Sequence, residues 1–175
     1  MITLVTGGAD SGKSEYAERI VTEKSDMANR LYIATMEKSP AAAERIARHK
    51  KRRTGLGFST IECCRDIGAI DIVPHVTALF EDVPNLVANE MFGGDVSRIE
   101  SGLSYLMEAC EDICFVTGDI ASAGADYGDE TIEYMKLLSH VNSYIASRAD
   151  EVIEVVCGLP DIIKGEKDDS YSGGR

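Results

Sequence analysis

The chain has 175 residues, 44% of them hydrophobic and 27% charged, with a formal net charge of −12. At roughly 150 residues per domain this predicts one domain over residues 1–175, with 165–175 a frayed tail; disorder is excluded, and no apolar run approaches the ~20 residues of a bilayer span. So acidic a chain does not suit a long nucleic-acid face, and with no positively charged leader before an apolar block a soluble, cytoplasmic protein is expected.

Residues 1–6 form a short β-branched strand that stops at Gly7-Gly8. From Gly12 the spacing becomes helical, with Tyr16, Ala17, Ile20 and Val21 on an apolar face and Glu15, Glu18, Arg19 and Glu23 on a polar one. Between them Gly7-Gly8-Ala9-Asp10-Ser11-Gly12-Lys13-Ser14 matches G-x-x-x-x-G-K-[ST], in the strand-to-helix setting that a phosphate-binding loop requires. Glycines let backbone N–H groups converge on phosphate oxygens, and the helix N-terminus adds its positive end. Lys13 is then expected at the β- and γ-phosphates, and Ser14 on Mg²⁺. Asp10 puts a carboxylate into a loop built for anions, where it either points outward or weakens triphosphate binding.

A second strand is predicted over 31–35 and a helix over 40–53, with Ser39 as N-cap and Pro40 in the first turn. This helix concentrates the positive charge. Residues 1–53 hold 11 Lys/Arg against 7 Asp/Glu, and Arg45, Arg48, Lys50, Lys51, Arg52 and Arg53 lie within nine positions. Arg45, His49 and Arg53, at i, i+4 and i+8, are read as one face. An imidazole flanked by cations can attack phosphorus while the cations neutralise a departing pyrophosphate. The alternative is a solvated basic helix with a bystander histidine.

Further strands are predicted over 58–62, 76–80, 113–117 and 151–156, and helices over 63–69, 85–92, 96–109 and 129–147, with a small-residue loop at 118–128. This alternation argues for a three-layer α/β fold whose largely parallel sheet is flanked by helices, here of the P-loop NTPase type. Ligands in such folds bind at the carboxyl ends of strands, which directs attention to Glu81-Asp82 and Asp119. Either Glu81 or Asp119 supplies a metal-directed carboxylate, or both are helix caps and turn residues. The five cysteines form no C-x-x-C pair and are expected to be reduced and mostly buried. His75 and His140 have no partner pattern, and the tyrosines do not cluster.

Taken together, the 7–14 loop and Arg45-Ile46-Ala47-Arg48-His49-Lys50 with Arg53 resemble the bifunctional adenosylcobinamide kinase / adenosylcobinamide-phosphate guanylyltransferases of cobalamin biosynthesis. The likeness continues through Leu31-Tyr32-Ile33-Ala34-Thr35, Glu62, the acidic end of the 76–82 strand, Asn89, Ala149-Asp150-Glu151-Val152, Gly158-Leu159-Pro160 and Ile163-Lys164. It implies that GTP and ATP are substrates with Mg²⁺, that a corrinoid is the acceptor, and that the protein is a homo-oligomer. It further implies nucleotide contacts from Ala34, Thr35, Met36, Lys51, Arg52, Arg53, Thr54, Glu62 and Asp82, charge neutralisation by Arg45, Lys50 and Arg53, and a guanylylated His49. Departures from the family pattern include Asp10 in place of a loop arginine, and Gly118-Asp119 in place of Asn-Glu. Two other readings therefore stay open: a related P-loop small-molecule kinase without guanylyl transfer, and a nucleotide-binding regulatory homologue.

Overall fold

A computed structural model describes residues 1–118 and 128–166. In chain order the strands are β1 Ile2–Thr6, β2 Arg30–Ala34, β3 Ser59–Glu62, β4 Thr77–Glu81, β5 Asp112–Val116, β6 Glu151–Val156 and β7 Leu159–Lys164. The helices are α1 Lys13–Lys24, α2 Ala43–Arg52, α3 Val83–Gly93, α4 Ile99–Ala109 and α5 Asp129–Arg148.

All seven strands form one sheet in the order β3-β2-β4-β5-β1-β6-β7. Every neighbouring pair from β3 to β6 is parallel, and β7 returns antiparallel on β6. The strand period of two divides the apolar residues between the two faces. Leu4, Ile33, Phe80 and Phe115 point into a larger core with α3, α4 and α5. Val5, Tyr32, Leu79 and Val116 point into a smaller one against Ala17, Ile20 and Val21 of α1. The chain leaves β1 between β5 and β6, so the loop after β1 lies at the centre of the sheet's carboxyl edge, where open α/β sheets bind ligands.

Several expectations change in the folded chain. Residues 40–42 form a turn, and α2 begins at Ala43; Ser39 Oγ accepts the Ala42 N–H at 3.1 Å, closing that turn instead of capping a helix at Pro40. The helix expected over 63–69 is reduced to a single 3₁₀ turn at Ile67–Ala69. Residues 159–164, to which no element was assigned, form edge strand β7, where the missing N–H of Pro160 is tolerated. Only Cys110 and Cys114 are buried; Cys63 and Cys64 are intermediate and Cys157 is exposed. Glu18, placed on the polar face of α1, is 4% exposed. Most of the 118–128 loop, Asp119 included, and residues 167–175 of the expected tail lie outside the described residues.

Candidate active site

The 7–14 loop adopts a conformation that depends on glycine at two positions. Gly7 has φ 153°, and a Cβ there would meet Val155 O at 2.5 Å; Gly12 has φ 90° and starts α1. The loop is braced from outside by the Gly158 N–H, which donates to Ser11 O at 2.8 Å. Lys13 Nζ donates to Gly8 O at 2.8 Å, while Asp10 is exposed in a left-handed backbone conformation at φ 53°. Ser11 Oγ is buried and has no hydrogen-bond partner among the described residues.

Glu81, at the end of β4, ties this loop to α2. Its Oε1 accepts from Ser14 Oγ at 2.6 Å and its Oε2 from the Tyr32 hydroxyl at 2.9 Å. His49 Nδ1 stands 3.3 Å from the same Oε1. Burial would raise the pKa of Glu81, but the adjacent His49, with the Ser14 and Tyr32 hydroxyls, outweighs it and holds the carboxyl down at about 2. Burial raises that of Tyr32, which keeps this hydroxyl a donor.

Asp82 follows through a cis peptide and caps α3, its Oδ1 accepting the Asn85 N–H at 2.7 Å. Its Oδ2 lies 3.1 Å from Arg45 Nη2, and burial raises its pKa despite the Asn85 N–H and Arg45. Thr35 is fully buried and locks the ends of β2 and β4 together, its Oγ1 donating to Asp82 O and accepting the Asp82 N–H, each at 2.8 Å.

Two clefts meet at this point. The first, about 630 Å³, is floored by the phosphate loop and overhung by Arg45, Arg48, His49 and Arg52. The second lies over the ends of β2 and β3, among Tyr32, Ala34, Met36, Lys50, Arg53 and Glu62. Arg45, His49, Glu81 and Asp82 border both. In the second cleft Glu62 is paired with Lys38, and with Lys50 at 3.4 Å, and the Lys38 pairing lowers its pKa. Arg53 stacks on Tyr32, with its guanidinium carbon 3.1 Å from the ring centroid; it is 8% exposed, and its Nη1 has no partner among the described residues.

Arg45, His49 and Arg53, read as one face, all border the second cleft. An α-helix advances about 100° per residue, so each i+4 step drifts about 40° and Arg53 stands about 80° from Arg45. Arg52, at i+7, stands within about 20° of Arg45 and is the residue that lines the first cleft with it. Arg53, just past the end of α2, and Lys50 face the second cleft. Thr54 lies near them, its Oγ1 donating to Lys50 O at 3.2 Å, and Lys51 is exposed and borders neither cleft.

Two residues that line the clefts, Arg48 and Tyr32, and one that lies behind them, Glu18, have no role in the sequence expectations. Arg48 follows Arg45 at i+3, so helical spacing alone places it over the phosphate loop. Tyr32 carries no sequence signal beyond a strand aromatic. Glu18 reads as solvated surface, yet its carboxylate binds Arg52 at two points, 2.7 Å to Nε and 2.9 Å to Nη2.

A family model described as cobinamide kinase / cobinamide phosphate guanyltransferase matches residues 3–163. The chain belongs to that family. Curated relatives carry the same assignment along their whole length. The bifunctional adenosylcobalamin biosynthesis protein CobU of Salmonella typhimurium is 30% identical, over 94% of this chain and all of the relative. CobU of Escherichia coli K12 gives the same values, and CobP of Pseudomonas aeruginosa is 27% identical over 95% of this chain and 99% of the relative. This cobinamide kinase / cobinamide phosphate guanylyltransferase is thus a transferase of cobalamin biosynthesis. Among its described residues no helix is long and apolar enough to cross a membrane.

Proposed function

We propose that the two activities share the clefts on either side of Glu81 and that His49 is the guanylyl carrier. In the kinase step the phosphate loop holds ATP or GTP. The aminopropanol hydroxyl oxygen of adenosylcobinamide bonds to the γ-phosphorus as the bond to the β–γ bridging oxygen breaks, and ADP or GDP leaves. The hydroxyl proton passes to solvent, and Lys13 draws charge from the group in transfer. In the transferase step His49 Nε2 attacks the α-phosphorus of GTP. A P–N bond forms, the bond to the bridging oxygen breaks, and pyrophosphate leaves. A phosphate oxygen of adenosylcobinamide phosphate then attacks the same phosphorus; the P–N electron pair returns to the imidazole, and adenosylcobinamide-GDP is released.

The observation that carries this reading is the 3.3 Å approach of His49 Nδ1 to Glu81 Oε1. Glu81, with its carboxyl held down at about 2, can only accept; a proton on Nδ1 directed at it leaves the Nε2 lone pair as the nucleophile. His49 also borders both clefts, the place an α-phosphorus occupies when the polyphosphate lies on the loop and the base in the second cleft. The unpartnered Ser11 Oγ and Arg53 Nη1 fall one on each side, which suits a ligand spanning them. Arg45 and Arg48 overhang the loop where charge on a leaving pyrophosphate accumulates.

Ser14 Oγ and Glu81 Oε1, 2.6 Å apart at the head of the loop, are hard oxygen donors of the kind Mg²⁺ takes. Held there by Ser14 and Glu81, Mg²⁺ would offset the charge on the phosphate groups.

Incubation with α-labelled GTP and Mg²⁺ tests the carrier role. The expected result is an acid-labile label that survives denaturation of the wild type and is lost in His49→Ala. Absence of an adduct on the wild type, or its persistence in His49→Ala, overturns the reading.

A further inference from the structure

No residue of α2 is buried, so packing of an apolar face does not orient the helix that carries His49. Its orientation comes from polar contacts, and these differ in quality. Arg45–Asp82 uses an arginine side chain that is 48% exposed, and Lys50–Glu62 joins side chains 56% and 40% exposed. Pairs so open to water hold a helix weakly. Arg53, just beyond the last turn, secures the exit of the chain over Tyr32 on the side of the second cleft.

Beside the His49–Glu81 contact itself and a 3.9 Å approach of Arg52 Nη2 to Glu81 Oε2, one further contact is of another kind. Arg52 Nε and Nη2 grip the two oxygens of Glu18 at 2.7 and 2.9 Å, and Nη1 reaches Glu15 at 2.6 Å. The Arg52 and Glu18 side chains are only 24% and 5% exposed. Two parallel N–H···O bonds between planar groups fix direction as well as distance. Glu18 itself is immobilised, because its neighbours Ala17, Ile20 and Val21 pack α1 onto the sheet. Arg52 lies one helical turn beyond His49, and its Nη2 is 3.5 Å from His49 Nδ1.

We propose that Glu18 is a positioning residue for guanylyl transfer: by gripping Arg52 at two points it sets the rotation of the last turn of α2 and so holds His49 against Glu81. The proposal rests on His49 being the guanylyl carrier. Glu18 borders neither cleft and so touches no substrate. The phosphate loop does not depend on it, since that loop is held by its own glycines and by Gly158.

The two activities provide the control. Glu18→Gln keeps the shape of the side chain and removes the charge that grips Arg52. Single-turnover formation of the His49 adduct from α-labelled GTP is expected to slow about ten- to a hundred-fold, as misplacement of a reacting group does. Phosphorylation of cobinamide should stay within about two-fold in both kcat and KM. A second variant, Glu18→Leu with Arg52→Met, replaces the buried pair by apolar side chains, which tends to preserve or raise stability. It should melt no lower than the wild type, which shows that slow adduct formation in Glu18→Gln is not a loss of fold. An unchanged adduct rate in Glu18→Gln, or a parallel loss of both activities, overturns the proposal. Failure of the carrier reading would instead show as an adduct that persists in His49→Ala.

Discussion

The two helices that frame the phosphate loop are attached by different physics. The α1 helix is pinned through Ala17, Ile20 and Val21 to the sheet, whereas α2 has no buried residue and is held by ion pairs, with the Arg53–Tyr32 stack just beyond its last turn. Hydrophobic attachment is non-directional and contributes in proportion to buried area; ion pairs are directional and depend on the charge state of each partner. The helix that forms the loop is thus fixed as part of the core. The helix that presents His49, the proposed guanylyl carrier, is held by directional contacts to Glu18 and Glu81.

Glu81 joins the two regions, and acid should separate them. Its carboxyl titrates at about 2 in the folded chain against an ordinary 4.5, so the stabilisation it contributes, of the order of 3 kcal/mol, is complete above pH 4.5 and disappears as the pH falls toward 2. Urea unfolding of the wild type and Glu81→Gln at pH 7, 4.5 and 3 checks this. The stability gap between them is expected to hold from pH 7 to about 4.5 and to narrow below it. A gap independent of pH would break the account of Glu81.

Truncation sharpens the contrast between the helices. Ile20→Ala in α1 should lower global stability by about 2–3 kcal/mol, as removal of a buried branched side chain does. The same change at half-buried Ile46 in α2 should cost about 1 kcal/mol or less. Denaturant titration measures both, and equal losses would mean that α2 shares the core after all.

Much of the first region was legible from residue order. The spacing of Gly7, Gly12, Lys13 and Ser14 encodes backbone conformation and local chemistry, and an apolar strand before it with helical periodicity after it encodes their setting. The second region was legible only in part. His49 and its basic neighbours stood out, and Arg45, His49 and Arg53 do border one cleft, but the place of Arg52 beside Arg45 in the other did not, because it depends on where α2 sits over the phosphate loop. Residue order was silent about Tyr32 and misleading about Glu18, which resembles any glutamate on the polar side of an amphipathic helix. Edge strand β7 was missed because Leu159–Lys164 contains a proline and its side chains are largely exposed, leaving little of the alternation that marks a half-buried strand.

By itself, the sequence determined an α/β chain with a phosphate loop and a cationic segment carrying His49, since both motifs are written in contiguous residues. The tertiary structure alone decided which charges meet. Glu18, Arg52, His49 and Glu81 lie on three separate elements, and only the packing of α1 on the sheet and the placement of α2 above it bring them within hydrogen-bonding reach. Partnership between distant charges depends on burial and angle, and neither is encoded in spacing along the chain.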